Sequence, residues 1–564
     1  MRILGVNSVY HELAAALVVD GEVVVAAEEE RFNRRKHGAE ARVDNADELP
    51  LAAIRFCLDA GGVDAEALDA ICYSFDPQLR RREHRPDPYA ARGGWGDVDG
   101  ERTFLEGVHR VPARLSAALG CDVSGRFRWI PHHLAHAASA FYTSGFDRAG
   151  ILVVDGIGEY ATVGIGYGDG DRLTIPHRIF YPHSLGFLWE KMSTFLGFGE
   201  YDACKVMGLA AYGDADVFRA ELESIVSVCD DGFRVADDVL QFRRRDFDGL
   251  SSLFGPPTPG LGKKHRDLAA ALQAVTDDVA LALTRAVHDR FPCDSLCIAG
   301  GVGLNCHANW VVKEEGPFER IYIPSAPHDA GTAIGAALYH HHASRPRRAP
   351  AAPRARSAPY LGPQFTEAEI EQALRAYGVS ATRPRSIEHA AARLVADGNV
   401  VGWFQGRMEF GPRALGNRSL LADPRTSETR ERLNRKVKHR ETFRPFAPTV
   451  LAEHANDWFD LRRSSDSYAF MSFACPVRSD RAAAVPAVVH EDGTARVQIV
   501  DSAANAQFHG VISEFHELTG VPLVLNTSFN DSEPIVCSPT DALATFLGTR
   551  IDALALGPYL VERS

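Results

Sequence analysis

Gly150-Ile-Leu-Val-Val-Asp-Gly156, followed by Ala161-Thr-Val-Gly-Ile-Gly-Tyr-Gly-Asp-Gly170 and Arg172-Leu-Thr-Ile-Pro-His-Arg178, repeats an order already present at the start of the chain. There, Arg2-Ile-Leu-Gly-Val-Asn7 is a short apolar strand ending in polar residues. Ala14-Ala-Ala-Leu-Val-Val-Asp-Gly-Glu-Val-Val-Val-Ala-Ala-Glu28 then reads as two strands joined at Asp20-Gly21, a dipeptide that favours tight hairpins. A strand, a polar turn and a hairpin, occurring twice, predict two related α/β lobes. Apolar residues at three- and four-residue steps predict helices over Leu51 to Ala60 and Asp267 to Arg290. Pro recurs among Arg and Ala from Ser344 to Pro359; it removes backbone donors and favours extended backbone, so a linker is expected there. The expected organisation is a domain over 1–343, a linker over 344–360 and a second domain over 361–564.

Composition narrows the partners. The 564 residues carry 61 Lys+Arg against 74 Asp+Glu, a net charge of −13, with 45% hydrophobic residues. This is a globular profile, and the length calls for more than one core, since single cores stop growing beyond ~250–300 residues. The acidic balance argues against nucleic acid or an anionic membrane surface as the main partner. No run approaches the ~18 apolar residues of a membrane span. Met1-Arg-Ile-Leu-Gly-Val-Asn7 turns polar too soon for a signal peptide. Ten cysteines without a C-x-x-C pair are read as reduced thiols in the cytoplasm.

Pro131-His-His-Leu-Ala-His-Ala-Ala-Ser-Ala140 places His132 and His136 one helical turn apart. Two readings are open: a bidentate metal clamp, or the polar start of a capped helix. Asp155, at the end of a predicted strand, and Asp329, at a predicted helix start, could complete a metal site; singly, they read as a turn residue and an N-cap. Gly156-x-Gly158-x-x-Ala161 imitates a dinucleotide fingerprint but leads into a strand, and is set aside. Ala299-Gly-Gly-Val-Gly-Leu-Asn305 suits close approach of backbone amides to a phosphate, or an ordinary strand-to-helix turn. Gly255-Pro-Pro-Thr-Pro-Gly-Leu-Gly-Lys-Lys264 lacks the order of a Walker loop. His11, beside Glu12, could take a proton from a hydroxyl, and Glu28 to Gly38 sets a basic run after an acidic one.

In the C-terminal part, Arg407, Arg413 and Arg418 stand among glycines, followed by Lys436, Lys438, Arg440 and Arg444. Clustered cations with turn glycines and Ser in so acidic a chain favour an anion pocket over surface ion pairs. Val521 to Asn530 reads as a buried strand running into Asn and Ser.

Taken together these strings resemble the NodU/CmcH family of O-carbamoyltransferases, which includes antibiotic-tailoring enzymes. The resemblance runs through His11-Glu12, Glu28 to Gly38, His132-His-Leu-Ala-His136, Val154-Asp-Gly156, Lys205 to Ala211, Gly300 to Asn305, Gly411-Pro-Arg-Ala-Leu-Gly-Asn-Arg-Ser419, Arg444-Pro-Phe-Ala-Pro448 and Leu525 to Asn530. It implies a duplicated actin-like N-terminal domain and a C-terminal YrdC-like α/β domain. By the same resemblance, the second domain makes carbamoyladenylate from ATP, with Mg(II), and carbamoyl phosphate. The first passes the carbamoyl group to a hydroxyl of a small-molecule secondary metabolite.

The resemblance also implies roles. His132, His136, Asp155 and Asp329 would bind a metal, Fe(II) in the family, and His11 would be the general base. Arg31 and Lys36 would meet carbamoyl phosphate or its adenylate. Arg413, Arg418, Ser419, Lys438, Arg440, Arg444 and Arg496 would form the second anion site, with Ser528 and Asn530. Gly300, Gly301, Gly303 and Asn305 would face nucleotide. One departure stands out: where the family commonly reads His-Asp-x-Ser-Ala, this chain has His11-Glu-Leu-Ala-Ala15. Rival expectations are tRNA threonylcarbamoyl transfer, against which the acidic charge counts; a small-molecule kinase, which would release ADP; and a nucleotide-switched chaperone. The segment Arg81 to Gly107 is expected to border the acceptor pocket, and a homodimer is the default assembly.

Overall fold

A computed structural model describes residues 1–38, 48–229, 231–345, 356–463 and 465–563. Most of the expected linker therefore lies outside the described residues. The chain divides into two compact units, residues 1–357 and 358–564.

In the first unit, β1 (Arg2–Asn7), β2 (Ala14–Val19), β3 (Glu22–Glu28), β4 (Ala70–Tyr73) and β5 (Phe127–Trp129) form a sheet of order β3-β2-β1-β4-β5. Asp20 and Gly21 join β2 to β3 with φ of 52° and 91°, both left-handed, so the turn twist matches the strands. A second sheet contains β6 (Arg148–Val154), β7 (Ala161–Asp169), β8 (Arg172–Phe180) and, after a separate hairpin of β9 (Val226–Cys229) and β10 (Gly232–Val235), β11 (Ser295–Ala299) and β12 (Arg320–Tyr322). Its order is β12-β11-β6-β7-β8. In each sheet the first strand pairs antiparallel with the next and parallel with the fourth. The two lobes thus repeat one topology, and the unit is a duplicated actin-like α/β fold.

Five helices position or brace the region where the lobes meet: α1 (His132–Phe141), α2 (Leu185–Phe195), α3 (Lys263–Arg290), α4 (Cys306–Glu315) and α5 (Ala330–Ala343). Helix α5 packs on α1 and on β1 and β2. Contact is close because Gly5 lies under the Ala333 carbonyl and Gly335 under that of Ala135; a Cβ would come within 1.8 Å and 1.7 Å of those oxygens. The two glycines thereby bring the starts of α1 and α5 to the same place.

The second unit holds β13 (Val401–Phe404), β14 (Arg418–Ala422), β15 (Ala447–Leu451), β18 (Gln498–Val500), β19 (Leu523–Ser528), β20 (Ala553–Leu556) and β21 (Tyr559–Glu562) in one mixed sheet, with β16 (Ala474–Pro476) and β17 (Thr494–Arg496) as a separate hairpin. Its order is β18-β15-β19-β14-β13-β20-β21. Helices Ile387–Ala396 and Ala506–Thr519 pack together, as do Glu367–Tyr377 and Pro539–Gly548. All ten cysteines are free thiols. Among the described residues no helix is long and apolar enough to cross a membrane.

Gly335→Ala should separate α1 from α5, and overpacking of this kind costs about 3 kcal/mol. A lowered thermal midpoint by circular dichroism checks it; an unchanged midpoint would mean the helices can part freely.

Candidate functional site

Asp155 follows β6 at the carboxyl edge of the second sheet, where the neighbouring parallel strand β11 ends in the Gly300–Asn305 turn. The Gly301 amide donates to Asp155 Oδ1 at 3.0 Å, which aims the other oxygen at α1. There Asp155 Oδ2 lies 3.3 Å from His132 Nε2 and 3.4 Å from His136 Nε2. Asp329 Oδ1 lies 3.5 Å and 3.3 Å from the same two nitrogens. One ligand atom from each of these four residues falls within 4.8 Å of the others, and all four residues are buried.

The N-cap reading of Asp329 does not hold. It occupies the position before α5, but its side chain makes no capping hydrogen bond and turns into the cluster. Helix α1, by contrast, is capped from afar, by Glu159, whose Oε1 accepts from the His132 amide at 2.8 Å. His132 Nδ1 donates to the Ser74 carbonyl at 3.0 Å, so its Nε2 lone pair is left for the centre. Burial opposes charge on all four groups. Against it, the aspartates raise the His132 and His136 imidazoles, His132 well above its usual value. The facing imidazoles in turn hold Asp155 well below the carboxylate range, and His11 and His132 lower Asp329. Two imidazoles and two carboxylates, with Asp329 Oδ1 making no hydrogen bond among the described residues, fit a divalent cation.

His11 borders this cluster, its Nδ1 3.9 Å from Asp329 Oδ2 and 3.9 Å from Glu12 Oε1. Four neighbours were not singled out from sequence: His37, Tyr201, His328 and Tyr10. The Tyr10 ring stands edge-on to His132 at 5.7 Å. Trp95 and Phe104 pack on Tyr10, so the 81–107 segment reaches the cluster through one aromatic layer. His37 and His328 were legible as neighbours of named residues, since they adjoin Lys36 and Asp329.

Other expected ligands have different partners. Lys36 is exposed, but Arg31 is buried against Glu28, at 3.0 Å, and Glu30. Gly300 has φ 93°, and a Cβ there would lie 2.1 Å from the Val154 carbonyl; this glycine serves the close approach of β6 and β11. The Asn309 side chain donates to the Gly303 carbonyl at 2.8 Å, tying this turn to α4. Asn305 caps α4 and exchanges hydrogen bonds with Gln273 of α3 at 3.1 and 3.2 Å.

In the second unit Arg418 is fully buried. Its guanidinium donates to the carbonyls of Gln405, Asn417, Pro363, Gly406 and Cys537 and stacks on Phe404 at 3.6 Å. Burial lowers its pKa to about 10. It is a structural arginine, with no donor turned toward a phosphate. Glu409 mirrors it: one carboxylate oxygen accepts from the amides of Leu415, Asn417 and Arg418 at 2.7, 2.7 and 3.1 Å. Ser419 is buried, and its hydroxyl accepts from the Gly416 amide at 3.1 Å.

Lys438 does meet Ser528 and Asn530, but as an anchor. Its ammonium donates to both backbone carbonyls, to Ser528 Oγ at 3.2 Å and to Asn530 Oδ1 at 2.6 Å. Burial, then Arg440 and Arg444 nearby, lower its pKa well below the usual value. Arg440 donates to Asn434 Oδ1 at 2.8 Å and Arg444 lies 3.8 Å from Glu441. Arg413 is half-buried in the loop before β14, and Arg496 ends β17.

Arg418→Met should lower the stability of the second unit by about 3 kcal/mol, because it strands buried carbonyls. Urea unfolding followed by tryptophan fluorescence checks this; a stable variant that fails only in anion binding would restore Arg418 to the pocket.

Both units match known families. Residues 2–338 match the model "Carbamoyltransferase N-terminus" and residues 392–563 match "Carbamoyltransferase C-terminus". Nodulation protein NolNO of Sinorhizobium fredii is 37% identical over 99% of this chain and 80% of its own length. An uncharacterised protein of Synechocystis is 36% identical over 100% and 97%, and Nodulation protein U of S. fredii is 30% identical over 94% of each. Among solved structures, component A of the Acidaminococcus fermentans (R)-2-hydroxyglutaryl-CoA dehydratase covers 61% of this chain and 100% of its own, at a TM-score of 0.34 and 15% identity. With both family domains matched in order along nearly the whole chain, the protein belongs to the carbamoyltransferase family, as an O-carbamoyltransferase of the NodU/CmcH type.

Proposed function

We propose that this enzyme activates carbamoyl phosphate with ATP, as carbamoyladenylate, and transfers the carbamoyl group to a hydroxyl of a small natural product. Activation would take place in the YrdC-like second unit and transfer in the actin-like first unit. The observation that carries the reading is the buried quartet of His132, His136, Asp155 and Asp329 with His11 beside it. In the activation one water takes the phosphoryl group from carbamoyl phosphate as inorganic phosphate, and the carbamate oxygen displaces pyrophosphate from the α-phosphorus of ATP; the transfer then forms the carbamate ester and releases AMP.

The chain's own groups divide the work. His11 takes the proton of the acceptor hydroxyl, because it borders the quartet and its Nδ1 makes no hydrogen bond among the described residues. Lys36, exposed near His37, offers a cation to the phosphate of the incoming donor. Tyr10, Trp95 and Phe104 wall the cluster and keep water from competing with the acceptor. A divalent metal held by the quartet, Fe(II) by the family resemblance, would act as a Lewis acid toward the phosphate or carbonyl oxygen.

Chromatography of the nucleotides tests the activation. AMP and pyrophosphate should form only when carbamoyl phosphate accompanies ATP; ADP formed regardless of carbamoyl phosphate would point to a kinase. His132→Ala and Asp329→Ala should abolish transfer while pyrophosphate release persists, and full transfer by either variant would sink the quartet's role.

Metal binding has its own signature. The aspartates raise the two imidazoles, so a cation must displace protons from them, and affinity should fall as pH falls. Titrating Co(II) into the metal-free protein, in buffers of different protonation enthalpy, should reveal proton release at neutral pH. Binding without proton release would show that the histidines are not ligands.

A further inference from the structure

Tyr10, Glu12 and His37 are non-glycine residues with φ of 71°, 60° and 65°. Each such conformation costs about 1–2 kcal/mol, and residues so held concentrate where geometry matters for function. Here the strain is held by named bonds. The Asn7 side-chain amide donates to the carbonyls of His11 at 3.1 Å and Glu12 at 3.0 Å, and its oxygen accepts from the Ser74 hydroxyl at 2.7 Å. The Leu13 amide donates to the His37 carbonyl at 3.2 Å, and the His37 amide to Glu30 Oε2 at 2.8 Å.

Where these two loops meet, one carboxylate faces three imidazoles. Glu12 Oε1 is 2.6 Å from His37 Nδ1 and 3.9 Å from His11 Nδ1, and Glu12 Oε2 is 4.0 Å from His328 Nε2. The His11 and His37 rings both lie against Tyr201, with centroids 5.3 and 5.5 Å away. His11 is therefore oriented by its surroundings while its own Nδ1 makes no hydrogen bond among the described residues.

We propose that Glu12 and His37 are positioning residues: their hydrogen bond fixes His11 against the quartet and sets it in register with the turn that carries Lys36. This rests on the carbamoyl transfer proposed above. The base that meets the acceptor and the cation that meets the donor lie on separate loops, and the Glu12–His37 bond is the side-chain tie between them. The length of Glu12 is part of the design. An aspartate in the same backbone position would draw the carboxylate back by about 1.5 Å, one carbon–carbon bond. The contact to His37 would then exceed hydrogen-bond range.

The test uses the full-length enzyme with ATP and radiolabelled carbamoyl phosphate, and a fraction of metabolite extract that accepts label. Pyrophosphate, the product of activation, is measured in the same samples. Glu12→Gln and His37→Gln should leave pyrophosphate release intact and lower transfer by about 10- to 100-fold, as expected for a displaced reacting group. The double variant should lose no more than either single one, and neither change should lower transfer further in a His11→Ala background. Glu12→Asp, which keeps the charge and the fold, should also fall below the unmodified enzyme. Losses that multiply, losses that persist on top of His11→Ala, or a fully active Glu12→Asp would overturn the positioning role. Pyrophosphate release without label transfer by the unmodified enzyme would overturn the transfer reading, and this one with it.

Discussion

Two carboxylates cannot be buried side by side without positive charge opposite them, and the first unit is arranged around that requirement. Asp155 comes from a strand end, Asp329 from a helix start, and the two imidazoles between them from the first turns of α1. None of these placements is local. Asp329 reaches the imidazoles only because α5 lies flush on β1 and α1, which Gly5 and Gly335 permit. Asp155 is aimed only because the Gly301 amide holds its other oxygen. The ends of α1 and α5 also present helix N-termini near the cluster, a field that favours the ionised aspartates.

The duplicated lobes were legible in the sequence because their determinants are short-range. Alternation, strand length and the Asp20-Gly21 turn are written within a few residues, and the two hairpins lie where those patterns place them. The site was legible only in part. His132 and His136 share a helix face by spacing alone, but Asp155 and Asp329 each had a sufficient local reading as turn and cap. What decides against those readings is tertiary: Asp155 faces both imidazoles of α1, and Asp329 leaves α5 without a side-chain cap to face the same pair. Tyr201 had no signal, and although His37 adjoins Lys36 in sequence, nothing in the order of residues brings the 34–38 turn over the His11 loop.

The second unit shows why a cluster of cations in a sequence is an ambiguous sign. The glycine-rich loop before β14 does cradle an anion, as its composition predicts, but the anion is the chain's own Glu409, gripped by three backbone amides. Its counterpart Arg418 is gripped by backbone carbonyls in turn. Opposite charges so enclosed give an irregular loop a defined shape at full burial, where unsatisfied amides and carbonyls would each cost more than the pair. Glycine suits both tasks, phosphate cradle and carboxylate cradle, for the same reason: it lets amides converge. Sequence can specify that convergence; burial decides whose oxygen occupies it. Lys438 follows the same logic at the Ser528–Asn530 turn, where a cation that reads as a phosphate ligand is consumed by oxygens of the chain itself. A fully enclosed cation keeps a loop in shape, whereas Lys36 still reaches solvent.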